Sequence, residues 1–223
     1  MLEAIGAILP LSVAVALSPV PIIAVILMLV SAKARVNGPM FIVGWVVGLA
    51  VIGVIVLAAA GPADASDDGD PATWVAVVEL VLGALLLLVA VKQWRGRPRD
   101  GEVPSMPKWM GAIDGFTPVK ATGAGALLSG LNPKNLLCAV AAGTAIAQLE
   151  IDGAEQAVAY AVFALIGTIG VAIPVVVYFA LGDRAPAMLQ RLQTWMAQNN
   201  AVIMSVLMLV IGVKVLGDGL GKL

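Results

Sequence analysis

Histidine is absent from the 223 residues and cysteine occurs once, at Cys138. The first absence removes the side chain most used for metal binding and for proton relay near neutral pH, and the second excludes an internal disulfide. Zinc chemistry is not expected, and the sequence gives no sign of any metal or other cofactor. Charge is scarce too: Asp, Glu, Lys and Arg make up 12% of the chain, with a formal net charge of -1. That balance gives no reason to expect nucleic-acid binding. No catalytic carboxylate pair and no nucleophile beside a base can be found, so an enzyme is not expected. A nucleotide-binding motif is also missing, which leaves a proton gradient, a concentration gradient or a partner to drive any transport. Strand-like alternation of apolar and polar residues occurs nowhere.

What is present is apolar. Hydrophobic residues make up 61% of the chain and the mean hydropathy is +1.01, which a soluble globule of this size could not hide from water. The composition predicts an all-α integral membrane protein. A helix needs about 20 apolar residues to cross a hydrocarbon core roughly 30 Å thick. Six runs qualify, near Ala4–Val30, Pro39–Ala60, Trp74–Trp94, Thr122–Leu149, Gln156–Leu181 and Asn199–Gly217. The first has Glu3 and no cationic leader, so it is expected to be a retained span rather than a cleaved signal peptide. Six transmembrane helices in one membrane domain are predicted.

The loops alternate in sign. Lys33 and Arg35 lie in the first connection, Lys92, Arg95, Arg97, Arg99, Lys108 and Lys120 in or beside the third, and Arg184 and Arg191 in the fifth. The second and fourth carry Asp64, Asp67, Asp68, Asp70 and Glu150, Asp152, Glu155, without a Lys or Arg. Basic loops stay on the cytoplasmic side, so both termini are predicted outside. The acidic loop lacks the distal glutamate of a calcium loop and reads as solvated surface. Two stretches have helical apolar spacing suited to the cytoplasmic interface: Met106, Trp109, Met110 and Ile113, and Met188, Leu189, Leu192, Trp195 and Met196. Each reads equally well as an amphipathic segment in the headgroup plane or as a helix extension packed on its neighbours.

Two of the spans carry prolines at mid-length. LSPVPIIAV from Leu17 corresponds to LNPKNLLCAV from Leu131, aligning Pro19 with Pro133. Proline lacks a backbone donor and crowds the carbonyl four residues back, so spans one and four are expected to break there. Halves of three spans each must cross in opposite senses. The prediction is therefore two inverted three-helix repeats, residues 1–103 and 104–223, with the first and fourth helices broken. Leu82-Gly83 and Ile211-Gly212 are a weaker match between spans three and six. Paired broken helices in corresponding positions point to a midplane binding site.

Ser18, Pro19, Pro21, Asn132, Pro133, Lys134 and Asn135 are the candidate substrate-binding residues. A cation at Lys134 between two amides suits an anionic or hydroxyl-rich headgroup, and an ionisable group at that depth points to function. Lys134 reads alternatively as an internal counter-ion to Glu79, which lies about a turn and a half inside span three; Glu79 reads in turn as a coupling site or as a group reaching the interface. Gly44, Gly48 and Gly53 in span two, and Gly167 and Gly170 in span five, suit close helix packing, whether within the bundle or in a homodimer.

ALSPVPIIAVILML, the WRGRP run from Trp94, PKWMGAIDGFTP, GLNPKNLL, AAGTAIAQ and VIGVKVLGDGL together resemble the peptidoglycolipid-addressing protein family of the lysine-exporter superfamily, over nearly the whole chain. The resemblance implies six spans, a bacterial inner-membrane location, membrane lipids or a cell-envelope glycolipid as substrate, and outward transport. An exporter or flippase working by alternating access is the favoured reading. Export of a small cation or amino acid is the first alternative, and needs an acidic midplane site for which Glu79 is the candidate. A non-transporting scaffold for envelope-lipid biosynthesis proteins is the second.

Overall fold

The computed structural model describes residues 1–60, 71–97, 108–149 and 151–221. Asp64, Asp67, Asp68, Asp70, Arg99, Met106 and Glu150, together with the 103/104 repeat boundary, lie outside them. The described residues form eight α-helices and no strand. They are α1 (Leu2–Ala16), α2 (Pro19–Leu29), α3 (Ala34–Ala60), α4 (Pro71–Arg95), α5 (Pro118–Gly130), α6 (Pro133–Ala147), α7 (Gly153–Leu181) and α8 (Ala185–Leu220). Short 3-10 segments at Lys108–Gly115 and Gly182–Arg184 precede α5 and α8.

Both expected breaks are present. Pro19 and Pro133 open α2 and α6 at the first helical position, where the missing N–H costs nothing. Each proline therefore starts a helix and ends its predecessor. The α1 and α2 axes bend by 48° across the break. Elsewhere proline is absorbed: α7 runs through Pro174 as one helix.

The helices are apolar outside as well as inside. Val43, Val47, Val51, Val54 and Ile55 of α3, and Leu165, Ile169, Ile173 and Val176 of α7, are exposed, while Phe41, Trp45, Leu49, Phe163 and Val171 are buried. A helix greasy all round belongs in lipid. By length and composition three helical stretches can cross a membrane, or four if α1 and α2 count as one bent span. The third stretch, Gly153–Leu220, contains α7 and α8, joined by the turn at Gly182. Neither α5, with 13 residues, nor α6, with 15, reaches the roughly 20 needed alone.

Glycine sets the packing. A Cβ at Gly83 of α4 would lie 2.6 Å from Leu216 Cγ and 3.0 Å from Gly212 O, and one at Gly212 of α8 would lie 2.8 Å from Leu87 Cδ2 and 3.2 Å from Gly83 O. Gly219, further along α8, meets Ala76 and Glu79, earlier in α4. Numbers rise on one helix as they fall on the other, so α4 and α8 pack antiparallel. Between α3 and α5 they rise together: Gly44 abuts Thr122, Gly48 abuts Ala126, and Gly130 approaches Ile52. Those two helices are parallel. Gly53 meets the Tyr160 ring of α7, while Gly167 and Gly170 of α7 meet Val15 and Ala16 of α1. The small residues on α3 and α7 are thus covered within the chain.

The two expected amphipathic stretches contribute to the core. Met110 and Ile113 of the first 3-10 segment are buried, with Trp109 at the surface; the segment packs on α2. Leu189 and Met196 of α8 are buried, while Met188 and Trp195 are exposed.

Candidate functional site

A helix that stops inside a bundle leaves carbonyls without intrahelical donors. At the end of α1 each has a partner or a close neighbour. Val13 O accepts from the Leu17 N–H at 2.9 Å, the Lys134 ammonium donates to Ala14 O, and Ser18 Oγ lies 2.7 Å from Val15 O. Ala16 O is packed against Gly170. The Lys134 contact crosses from α6 to α1. It places a cation where the negative end of the α1 dipole lies, a favourable combination of charge and hydrogen bond.

Asn135 makes the second cross-link. Its Oδ1 lies 2.9 Å from Ser18 Oγ, and its Nδ2 donates to Leu128 O in the last turn of α5 at 2.9 Å. The hydroxyl has one proton, so Ser18 donates to Asn135 or to Val15 O, one at a time. Asn132 is the N-cap of α6, its Oδ1 accepting from the Lys134 N–H at 3.2 Å. One residue thus caps α6, the next but one ties α6 to the end of α1, and the third ties it to the end of α5.

Of the seven candidate residues, Ser18, Lys134 and Asn135 are brought together directly. Ser18 is 1% exposed, Lys134 2% and Asn135 0%. Asn132 serves by capping. Pro19 and Pro21 are buried, and Pro133 is exposed; the prolines act through the backbone, by making the breaks. Glu79 stands elsewhere. It is 3% exposed, against Gly219 of α8. Among the described residues it forms no ion pair with Lys134, whose amine goes to a carbonyl instead; the ion pair found there is Lys214–Asp218 on α8. Nor do the described residues hold a cluster of His, Cys, Asp or Glu able to bind a metal.

The helices starting at Pro19 and Pro133 direct their positive ends toward the same polar knot that holds Lys134. Chemically, the knot offers one ammonium, one hydroxyl and two amides in an apolar interior.

The sequence profile of Sap, the sulfolipid-1-addressing protein, matches residues 8–221, nearly the entire chain. The chain belongs to the sulfolipid-1-addressing protein family. Both proline breaks and the whole Lys134 knot fall inside the matched region, so the knot belongs to the family domain. Neither a curated protein nor a solved structure matches the chain.

Some polar residues carried no signal in the sequence. Asn37 is fully buried in α3, its Nδ2 donating to Phe116 O at 3.1 Å. Trp45 Nε1 and Tyr160 OH are buried without hydrogen-bond partners among the described residues. Trp45 and Tyr160 lie in apolar runs where composition alone reads only as membrane span, and Asn37 lies in the basic connection before the second run, where a polar residue draws no notice.

Proposed function

We propose that this protein is a bacterial inner-membrane exporter or flippase for an anionic, hydroxyl-rich envelope glycolipid, and that it works by alternating access around the Lys134 knot. The carrying observation is the double cross-link between two broken helices, Lys134 to Ala14 and Asn135 to Ser18. Family membership supports an envelope lipid as cargo: the matching profile is that of a protein named for addressing sulfolipid-1.

In this reading α1–α2 and α5–α6 each form one broken span, α3, α4, α7 and α8 supply the rest, and the six spans form two inverted triplets as in the lysine-exporter superfamily. The packing directions support it, because inversion requires the third spans, α4 and α8, to be antiparallel, and puts α3 parallel to the α5–α6 span. The basic connections support an orientation with both termini outside.

Lys134 is almost fully buried, which in this reading corresponds to a closed state. Export then requires the knot to open, exchanging the Ala14 and Val15 carbonyls for acceptor oxygens of the cargo headgroup. An acceptor is replaced by an acceptor, so neither the ammonium nor the hydroxyl is stranded in low dielectric. Glu79, the other buried residue of formal charge among the described residues, is assigned to ion coupling.

The test is lipid analysis of a deletion strain. One envelope lipid is expected to accumulate inside and to return to the outer layer on complementation. An unchanged outer-lipid profile would sink the exporter reading, and uptake of amino acids or metal ions by the reconstituted protein alone would replace it.

A further inference from the structure

A cavity of about 470 Å³ lies away from the Lys134 knot, at the turn joining α2 to α3, lined by Lys33, Arg35, Val36, Pro118 and Tyr178 among others. Its walls come from the end of α2, the starts of α3 and α5, and the last turn of α7. Lys33 and Arg35 are exposed, and among the described residues neither is ion-paired.

The nearby backbone donors are largely spent. Ala34 N–H donates to Ser31 O, Val36 and Asn37 N–H to Lys33 O, and Lys120 N–H to Thr117 Oγ1. Recognition here falls to side chains: an ammonium, a guanidinium fork and a phenol hydroxyl. That set suits a tetrahedral oxyanion, with arginine able to bind two oxygens at once.

The apolar surface next to the cavity favours an amphiphile over a free ion. Val36, which lines it, is 51% exposed, and Val119 and Phe179, next in sequence to the lining residues Pro118 and Tyr178, are 81% and 54% exposed. A soluble anion has no use for exposed apolar side chains close by, whereas acyl chains do. Depth agrees. The 11 residues of α2 lead from the knot to this turn, a rise of about 16 Å, close to half of a hydrocarbon core roughly 30 Å thick. A knot near the midplane puts the cavity at the headgroup level.

We propose that this cavity is a docking site for an anionic lipid on the cytoplasmic face, Lys33 and Arg35 holding a phosphate or sulfate group while the chains lie along Val36, Val119 and Phe179. The cytoplasmic placement rests on the orientation proposed above. In this reading docking at the interface precedes passage to the knot.

Binding to the purified full-length protein in neutral detergent tests this without any transport step. The probes are dioctanoyl phosphatidic acid, dioctanoyl phosphatidylcholine and inorganic phosphate. The phosphatidic acid is expected to bind at least about tenfold more tightly than either of the others, and the double variant Lys33→Gln/Arg35→Gln to lose roughly tenfold or more of that affinity. Val119→Ser, at a surface position that leaves the fold intact, is expected to weaken the lipid and leave phosphate unchanged. Equal binding of the neutral lipid, an unchanged affinity in the double variant, or inorganic phosphate binding as tightly as the lipid overturns the proposal. Deletion-strain lipids report on export independently: lipid retention without binding sinks only this site, and binding without retention sinks only the exporter reading.

Discussion

Lys134 is buried with a backbone carbonyl, not a carboxylate, as its partner. A buried ammonium held this way is poorly compensated, since one carbonyl does not repay several kcal/mol of desolvation. Replacing it by methionine removes that cost and strands Ala14 O, a loss of about 1–3 kcal/mol. The two terms oppose one another, so Lys134→Met is expected to keep a cooperative thermal transition within a few degrees of the parent while export is abolished. Melting in detergent and the outer-lipid profile of the complemented strain measure the two separately. Export at parental level would show the amine to be a pure helix cap, and loss of the folded protein would make it structural. Asn135→Leu has no such compensation: it leaves Leu128 O bare and removes an acceptor from Ser18, and is expected to destabilise by about 1–3 kcal/mol. Because Ser18 still reaches Val15 O, Ser18→Ala is expected to cost less, which the same melts rank. The sequence held part of this. Pro19 has no N–H to give to Val15 O, so an orphan carbonyl at that position is legible from the proline alone. That a lysine from the other half would cap its neighbour Ala14 was not, because it depends on where α6 crosses α1.

Helix by helix, the sequence and the structure agree best where proline or a run of apolar residues decides the matter. The expected span Ala4–Val30 becomes α1 and α2, and Thr122–Leu149 becomes α5 and α6, each broken at its proline as anticipated. The last span was placed from Asn199 but α8 starts at Ala185. Its first turns carry Gln190, Arg191, Gln193 and Gln198, which a hydropathy window excludes although nothing in them stops a helix. Glycine was read as packing, and the seams bear this out at contact level, yet the partner of each glycine came only from the fold. Two positions in one helix show how much that matters. Gly123 and Gly125 both lie in α5; a Cβ at Gly123 meets nothing within 4 Å, whereas one at Gly125 runs into the α3 backbone at Phe41 and Trp45. Gly123→Ala is expected to stabilise by up to about 1 kcal/mol through helix propensity. Gly125→Ala is expected to destabilise by about 1–3 kcal/mol or more, because a backbone cannot yield as a side chain tip does. Thermal melts of the two variants should move in opposite directions, and a common direction would mean that α3 and α5 are not in the close parallel contact described here.

Across the whole molecule the charges divide the two ends. The turn before α3 and the first turn of α3 offer Lys33 and Arg35, whereas the N-terminus of α7 offers Asp152, which caps it by accepting from the Glu155 N–H at 2.8 Å, and Glu155 itself. In the proposed orientation, with the basic end inside, an anionic headgroup is attracted where it must load and repelled where it must leave, which would give the proposed inverted bundle a direction. Orientation is therefore the property on which the exporter reading turns, and the chain is well suited to measuring it. Its single thiol, Cys138, is fully buried, so a membrane-impermeant maleimide has no background target. Cysteines introduced at Glu155 and at Arg35, both exposed, report on the two ends. Glu155→Cys is expected to label in intact cells, and Arg35→Cys only after the membrane is permeabilised. The reverse pattern would place the cationic cavity outside, turn the charge gradient against export, and convert the same structure into an importer of anionic amphiphiles. Labelling of both from outside would remove the inverted arrangement altogether, since α3 leads from one of these positions to the far face and α7 starts at the other.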